Sequence, residues 1–437
     1  MMSEWSSVSI QELAIKVTIG PFGSSLKTDA YTPSGVPVIR GTNLCGGRSF
    51  IGDWVYVSDS TADRLPAAVV SAGDLVFPHR GSIGEVGIVP NDYPRYLMST
   101  SLMRASLDED VCDPRYYFYF FKSQIGRSEL LKNASQVGTP GIGQPLSTLK
   151  AIRVPFPPRC EQERIANVLS ALNDRIDHNR TLAANLEAIA RRLFKSWFVD
   201  FDPVRAKAVG EKPPGLADDL AVLFPDRFVD SKLGDAPDGW KVGKISDFSA
   251  NVRVGCTPSQ FSSEDFYVGL EHFDRRCLTL WKGGSGDDAT SNKSRFSKGD
   301  LLFGKLRPYF HKVAIAPTDG ICSTDILVIR CTDSAYREFM YLSLFQDGVI
   351  QFVSDASGGT RMPRTNWETL ERYDCVVPPQ PVACAFGEIV APMIETMMQC
   401  VSENDALTKI RDLLLPRLIS GKLRVADAES FIEEVIA

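Results

Sequence analysis

From residue 161 to 198 the chain reads EQERIANVLSALNDRIDHNRTLAANLEAIARRLFKSWF, without a proline or glycine. Ile165, Leu172, Asn179, Leu186 and Leu193 recur every seven residues, and Leu169, Ile176, Ala183, Ala190 and Trp197 fill a second register. Nine of these ten are apolar, the seam of a coiled-coil helix. Such a helix is about 57 Å long, and the polar Asn179 is a device for fixing register. A second seam follows residue 380. Phe386, Met393, Cys400, Leu407 and Leu414 take one register, Val390, Met397, Asn404 and Arg411 the other. Pro392 predicts a kink and Pro416 an end to this helix. The two helices are expected to pack on each other. A whole domain of chain returns between them, so an antiparallel pair is the natural geometry, with a parallel pair left open.

Ahead of each long helix the pattern shortens. LVFP, VGIV and YLMSTSLMRA in the first half, and LLFG, KVAIA and DILVIRC in the second, predict strands bounded by Gly, Pro, Asp or Ser. RYYFYFFKSQIG (115–126) and REFMYLSLFQDG (337–348) predict helices, each closed by its Gly. These runs repeat. SAGDLVF (71–77) lies over SKGDLLF (297–303) at a shift of 226, and Trp5 over Trp240 at 235. GTPGIGQPLSTLKAIRVPFPP (138–158) lies over GTRMPRTNWETLERYDCVVPP (359–379) at 221. The fold class is therefore α+β: two similar mixed α/β heads separated by two long coiled-coil helices. The expected segments are a first head (1–158), a central helix and exit (159–207), a Pro/Gly/Asp-rich linker (208–239), a second head (240–379), and a C-terminal helix and tail (380–437).

Composition removes several function classes. The 437 residues carry 48 Lys and Arg against 54 Asp and Glu, a net charge of −6, which excludes a histone-like polyelectrolyte but not local basic loops. No run of 18 apolar residues predicts a membrane span, and MMSEWSSVSI does not resemble a signal peptide. Ten cysteines without a CxxC pair, and four histidines, predict reduced cytoplasmic thiols and no metal site.

Catalytic motifs are missing too. No Gly-rich cofactor loop accompanies an NPPY-like tetrapeptide, and DFDP (200–203) has a single proline at a helix exit. Asp226, Asp230 and Lys232 are too close in sequence for a nuclease strand pair, and GxxxxGK[ST] does not occur. GSGDD (284–288) and SGGT (357–360) read as ordinary turns. The chain is expected to have no catalytic residues and no cofactor.

Two unequal heads on a rigid spacer suit a target with two different half-sites, as on duplex DNA. Three loop groups could hold it. The first is FPHRGSIG (77–84) with FGKLRPYFHK (303–312), carrying His79 and Arg80, then Lys305, Arg307, Tyr309 and Lys312. The second is SQVGTPGIGQ (135–144) with SGGTRMPRTN (357–366), carrying Thr139 and Gln144, then Thr360, Arg361 and Arg364. Solvated basic turns and a structural connection are the bland alternatives. The third, RGTN (40–43) with GLEH (269–272), matches only loosely; Arg40 and Asn43 are its possible readers. Residues 240–312 hold 12 basic and 8 acidic residues, a local +4. Arg191, Arg192, Phe198 and Phe201 could anchor a protein partner, or the aromatics could cap the helices' own core, the preferred reading for Trp197.

The segment EQERIANVLSALNDRIDHNR…LEAIARRLFKSWFVDFDPVRAK (161–207) closely resembles the central region of specificity subunits of Type I restriction–modification enzymes. LLLPRLISGKLRV (413–425) resembles their C-terminal region, and the paired heads their target-recognition domains. The resemblance implies a non-catalytic subunit that reads a bipartite, asymmetric double-stranded DNA site. It implies two methyltransferase partners carrying S-adenosylmethionine and a motor–nuclease subunit that joins them. A scaffold or adaptor in phage defence without DNA reading is the competing class.

Overall fold

The computed structural model describes residues 5–21, 23, 25–44, 50, 52–135, 138–357 and 362–436. Packing divides the chain into two units, residues 1–177 with 405–437 and residues 178–404. Both divisions fall inside the long helices, Arg159–Phe198 and Gln380–Ile419, rather than at the head–helix junctions expected at 158/159 and 379/380.

In unit 1, the strand Ser6–Ser9 pairs antiparallel with Arg153–Phe156, so the head's first and last segments meet. Between them lie two four-stranded sheets. One runs Ala14–Ile19, Leu102–Leu107, Leu75–Pro78, Gly87–Ile88; the other Val55–Val57, Val36–Ile39, Tyr96–Met98, Val69–Val70. The run YLMSTSLMRA thus breaks at Ser99–Ser101 and feeds both sheets. The repeated Ser-x-Gly-Asp motif explains itself. Gly73 takes φ +85°, Asp74 Oδ2 accepts the Ser71 N–H (3.0 Å), and buried Arg104 pairs with Asp74 (3.1 Å). Glycine supplies the left-handed turn at little cost.

Unit 2 repeats this plan. Lys241–Lys244 pairs with Asp374–Val377, and a four-stranded sheet runs Ser249–Asn251, Ile326–Cys331, Leu301–Gly304, Val313–Ile315. Its second sheet has five strands: Gly255–Cys256, Lys293–Phe296, Gly320–Ser323, Phe266–Val268 and Gly284–Ser285. Gly299 (φ +86°), Asp300 and Arg330 rebuild the same turn and ion pair (2.6 Å). The duplication read from sequence is a duplication of topology.

The predicted single helices at 115–126 and 337–348 are each two. Pro114–Lys122 ends at Ser123, whose side chain caps Gln124–Leu131; Arg337–Leu344 is followed by Asp347–Asp355. Gly126 therefore sits inside the second helix. A Cβ there would lie 2.1 Å from Phe120 O, so glycine allows the tight reversal instead of stopping a helix. Tyr116 through Phe121 are all buried. Phe121 packs edge-on against Phe77 (4.9 Å), while Tyr119 bonds Ser170 of the long helix (3.2 Å), so this short helix is covered on both sides.

The long-helix seam is filled as expected. Ile165, Leu169, Leu172 and Ile176 are buried in unit 1 with Leu407 and Leu414. In unit 2, Val390 and Met397 are buried, while Leu186 and Leu193 pack at the edge of the same core. Asn179 Nδ2 donates to Asn404 Oδ1 (3.0 Å), and Phe198 meets Phe386 (4.9 Å), so the helices are antiparallel there. Two expectations fail. Pro416 does not end the second helix, which continues to Ile419; Ser420 N–H and Oγ satisfy the Pro416 carbonyl (3.2 and 2.7 Å). Arg411 is half-buried and bonds Asn173 (3.1 Å), while Ile410 is buried in its place. A straight helix drifts against a strict seven-residue repeat. By length and composition this helix could cross a bilayer, with mean hydropathy 1.2 over its most apolar 18 residues; 44% of that window is buried inside the protein.

The stretch 208–239 is folded, not a free linker. It holds the helix Asp218–Ala221 and the hairpin Phe228–Ser231/Gly234–Pro237. Phe224 packs on Trp197 (5.0 Å), and Lys207 Nζ bonds the Ala221 and Phe224 carbonyls. Phe198 and Phe201 belong to this core (6% and 7% exposed), with Trp240, Phe339 and Phe386 around them. They cannot be surface anchors. Of that proposed partner set, Arg191 lies over the Phe345 ring (5.1 Å) and Arg192 is exposed.

Candidate nucleic-acid interface

Each unit brings its first two loop groups together. In unit 1, the His79 carbonyl accepts the Ile142 N–H (2.9 Å), Gly81 N–H donates to Pro140 O (2.9 Å), and Arg80 bridges Gly141. In unit 2, the Lys305 carbonyl accepts the Thr365 N–H (3.0 Å), Arg307 N–H donates to Pro363 O (2.8 Å), and Leu306 bridges Arg364. These bonds make 79, 80 and 81 equivalent to 305, 306 and 307, and 140–142 equivalent to 363–365. The second loop is therefore shifted by 223 here, not the 221 read from sequence. One residue of that difference is absorbed before the short helices Pro145–Ala151 and Trp367–Leu370, and one more before the strands Arg153–Phe156 and Asp374–Val377.

In unit 1, Arg80, Thr139 and Gln144 are exposed, and Arg80 forms no ion pair among the described residues. His79 is half-buried with Nε2 3.2 Å from Thr100 O; burial pushes its pKa down, so the ring is neutral at neutral pH. In unit 2, Lys305 Nζ donates to Thr324 O (2.5 Å), and Lys312 Nζ to Leu270 O (2.6 Å). Both ammonium groups are shifted down, chiefly by burial, with Arg364 and Arg275 respectively adding repulsion. Tyr309 is 51% exposed on an edge-to-face stack with Phe310 (4.8 Å). Arg364 forms an ion pair with Asp325. Thr360 and Arg361 lie outside the described residues.

The backbone of the first loop is left-handed at two places in both units. In unit 1 these are Gly81 (φ +83°) and Gly84 (φ +86°); in unit 2 they are Arg307 (φ +50°) and His311 (φ +52°). Arg307 Nε is buried without a partner, and Arg307 lies 5.9 Å from the Phe310 ring. His311 is 1% exposed and packs on Phe345 (4.5 Å); neither ring nitrogen has a well-formed hydrogen bond among the described residues, although Asp347 is within ion-pair range at 3.4 Å. Unit 2 carries backbone strain that unit 1 avoids with glycine.

The third group does not read outward. Asn43 is 1% exposed, its Oδ1 accepts the Arg40 N–H (2.9 Å), and both side chains turn toward the Asp53 carbonyl. In the counterpart, His272 Nδ1 accepts the Gly269 N–H (2.9 Å). The +4 of residues 240–312 is also smaller in three dimensions. Glu368 neutralises Arg253 and Asp347 neutralises Arg276, both acids lying beyond residue 312. Sequence reading missed Arg275, stacked 3.9 Å over Phe310, and Arg253, Lys293 and Asn366 at a groove beside Lys305. Asn366 stood inside a quoted loop; the others carry no motif and are assembled by the fold. No cluster of three metal-ligating side chains occurs among the described residues.

The two units thus share one duplicated plan and differ in the side chains their apposed loops carry. Residues 2–188 match the family described as Type I restriction modification DNA specificity domain. The chain is 25% identical over 474 residues to the Type I restriction enzyme HindI specificity subunit of Haemophilus influenzae, covering 97% of this chain and 100% of that one. It is 25% identical to the MjaIX specificity subunit of Methanocaldococcus jannaschii, over 97% and 94%. The solved S subunit of a Type I restriction–modification system from M. genitalium superposes with TM-score 0.60 at 16% identity, covering 95% and 96%, which shows the shared fold. Residues 2–188 thus resemble that domain family, and the chain as a whole is similar to the Type I specificity subunits.

Proposed function

We propose that the chain is the sequence-specific DNA-binding subunit of a Type I restriction–modification complex, and that its two units read the two different halves of an asymmetric, bipartite site. The single observation carrying this is the repeated apposition of the 79–81 and 140–142 loops with 305–307 and 363–365, on identical backbone bonds but with unlike side chains. A scaffold with no reading role would need neither the apposition nor the difference. The chain itself is non-catalytic on this reading. Double-stranded DNA is the ligand, two methyltransferase subunits are the partners and hold the S-adenosylmethionine, and a motor–nuclease subunit can join them in the cytoplasm. The long helices supply the protein-facing surface, with exposed Arg192 among its contacts.

Methylome sequencing of cells carrying this chain with its partner genes tests the proposal. The expected result is one modified motif made of two unlike words around an unread gap. Absence of any motif, with the complex assembled, favours the adaptor reading.

A further inference from the structure

The register bonds extend the equivalence between the units beyond the loops. Gly20 N–H donates to Leu102 O (2.7 Å) and Val252 N–H to Val328 O (2.8 Å), so Pro21 of unit 1 occupies the place of Arg253. Gln144 and Asn366 each cap the short helix that follows. His79 stands where unit 2 has Lys305. Three equivalent positions around one spot are thus Pro21, His79 and Gln144 in one unit, and Arg253, Lys305 and Asn366, all polar, in the other.

In unit 2 these three line an open groove of about 690 Å³, with Lys293 and Thr324, and Glu368 is its only acid among the described residues. Several are already fixed. Arg253 is held by Glu368 (2.7 Å) and, with the Asn251 amide turned to satisfy both its neighbours, by Asn251 (3.0 Å). Lys293 Nζ is bound by Ser291 (2.9 and 2.8 Å). Of the three positions, two keep a donor to offer. Lys305 Nζ uses one proton on Thr324 O, and Asn366 uses its Oδ1 on the Thr369 N–H (2.8 Å), leaving its NH₂ without a partner among the described residues. The groove therefore offers donors and asks for acceptors. In the major groove of B-DNA, guanine presents two adjacent acceptors, O6 and N7, whereas adenine and cytosine each present a donor amino group.

We propose that this groove is the base-reading pocket of unit 2 and that Lys305 and Asn366 select a guanine in the half-site this unit reads. The inference rests on the DNA-reading function above and names the base class and the residues that set it. The same backbone in unit 1, with a neutral His79 and Gln144, offers a weaker and mixed pattern, so the two units read different words.

The test uses the full chain assembled with its methyltransferase partners, on duplexes containing the motif recovered from the methylome. Each guanine is replaced singly by 7-deazaguanine, which removes N7 and keeps pairing, and affinity is read by anisotropy. Wild type should lose about tenfold at one guanine, the discrimination expected of a two-acceptor contact. Lys305→His and Asn366→Gln, each installing the unit 1 residue, should weaken binding to the normal duplex and erase the 7-deaza penalty at that guanine alone, with the melting temperature unchanged in Lys305→His and slightly lowered in Asn366→Gln, which loses the Thr369 cap. A penalty pattern that the variants leave intact, or no penalty at any guanine, overturns the proposal. So does a loss that is equal for all sequences with the salt slope reduced by about one, which marks a backbone phosphate contact. Wild type without sequence preference would instead sink the underlying function.

Discussion

At the scale of the residue, His311 is the group whose chemistry is most constrained by its place. Burial pushes its pKa down to about 4, with Arg276 and Arg191 adding repulsion and Asp347 partly opposing them. The unfolded chain titrates near 6.5, so between those values the unfolded state binds the extra proton. Stability from this group is complete above pH 6.5 and falls as the pH drops toward 4, by up to about 3 kcal/mol. Urea denaturation at pH 7.5 and pH 5 should show the loss in wild type and a smaller one in His311→Gln. An equal loss in both would place the acid sensitivity elsewhere. Arg307 poses the complementary case. Arg307→Gly gives unit 2 the residue that unit 1 has at Gly81, relieving a strain of about 1 kcal/mol. It should melt at or above the wild-type temperature, whereas Arg307→Ala keeps the strain. Both should weaken DNA binding; preserved affinity removes this guanidinium from the interface. Neither residue's state was legible in sequence. A positive φ and a sealed imidazole follow from the path of a loop, not from residue type.

At the scale of the element, periodicity spoke clearly and punctuation did not. The long-helix seam was readable because an apolar stripe must be covered, and its period does not depend on what covers it. Leu172 is 4% exposed in the unit 1 core. Leu172→Asp should destabilise that unit by about 3 kcal/mol or more, since it buries an unpaired charge and removes packing. Leu186 is only partly buried, and Leu186→Asp should cost less. Hydrogen exchange that is accelerated no more in Leu172→Asp than in Leu186→Asp would contradict this ranking. Glycine and proline misled because both have more than one use. Gly126 permits a close helix reversal, and Pro416 sits within a last turn whose carbonyls Ser420 satisfies. The aromatic run Trp197–Phe201 could anchor a partner or fill a core, and only the arrival of Phe224, Phe339 and Phe386 decides for the core.

At the scale of the whole molecule, unit 1 is discontinuous. Ile165, Leu169, Leu172 and Ile176 share their core with Leu407, Ile410, Leu414 and Leu418, from the far end of the chain. A chain truncated after Asn404 should therefore expose that surface, and limited proteolysis should cut unit 1 well before unit 2. Equal resistance of the two would show that unit 1 is complete without residues 405–437. Binding of the assembled complex to its DNA should weaken steeply with salt, because phosphate contacts release counterions. A flat salt response would leave no role for the basic loops.

By itself the sequence determined what rests on repetition along the chain: two related heads, two long seamed helices, and the lack of catalytic motifs. These depend on local periodicity and on residues within a few positions of one another. The tertiary structure alone decided which side chains meet. It set the 223-residue loop register, withdrew Asn43, Phe198 and Phe201 from the surface, folded the supposed linker, and gathered Arg253, Lys305 and Asn366 around one groove. Those are encounters set by the path of the folded chain, and no period in the sequence encodes them.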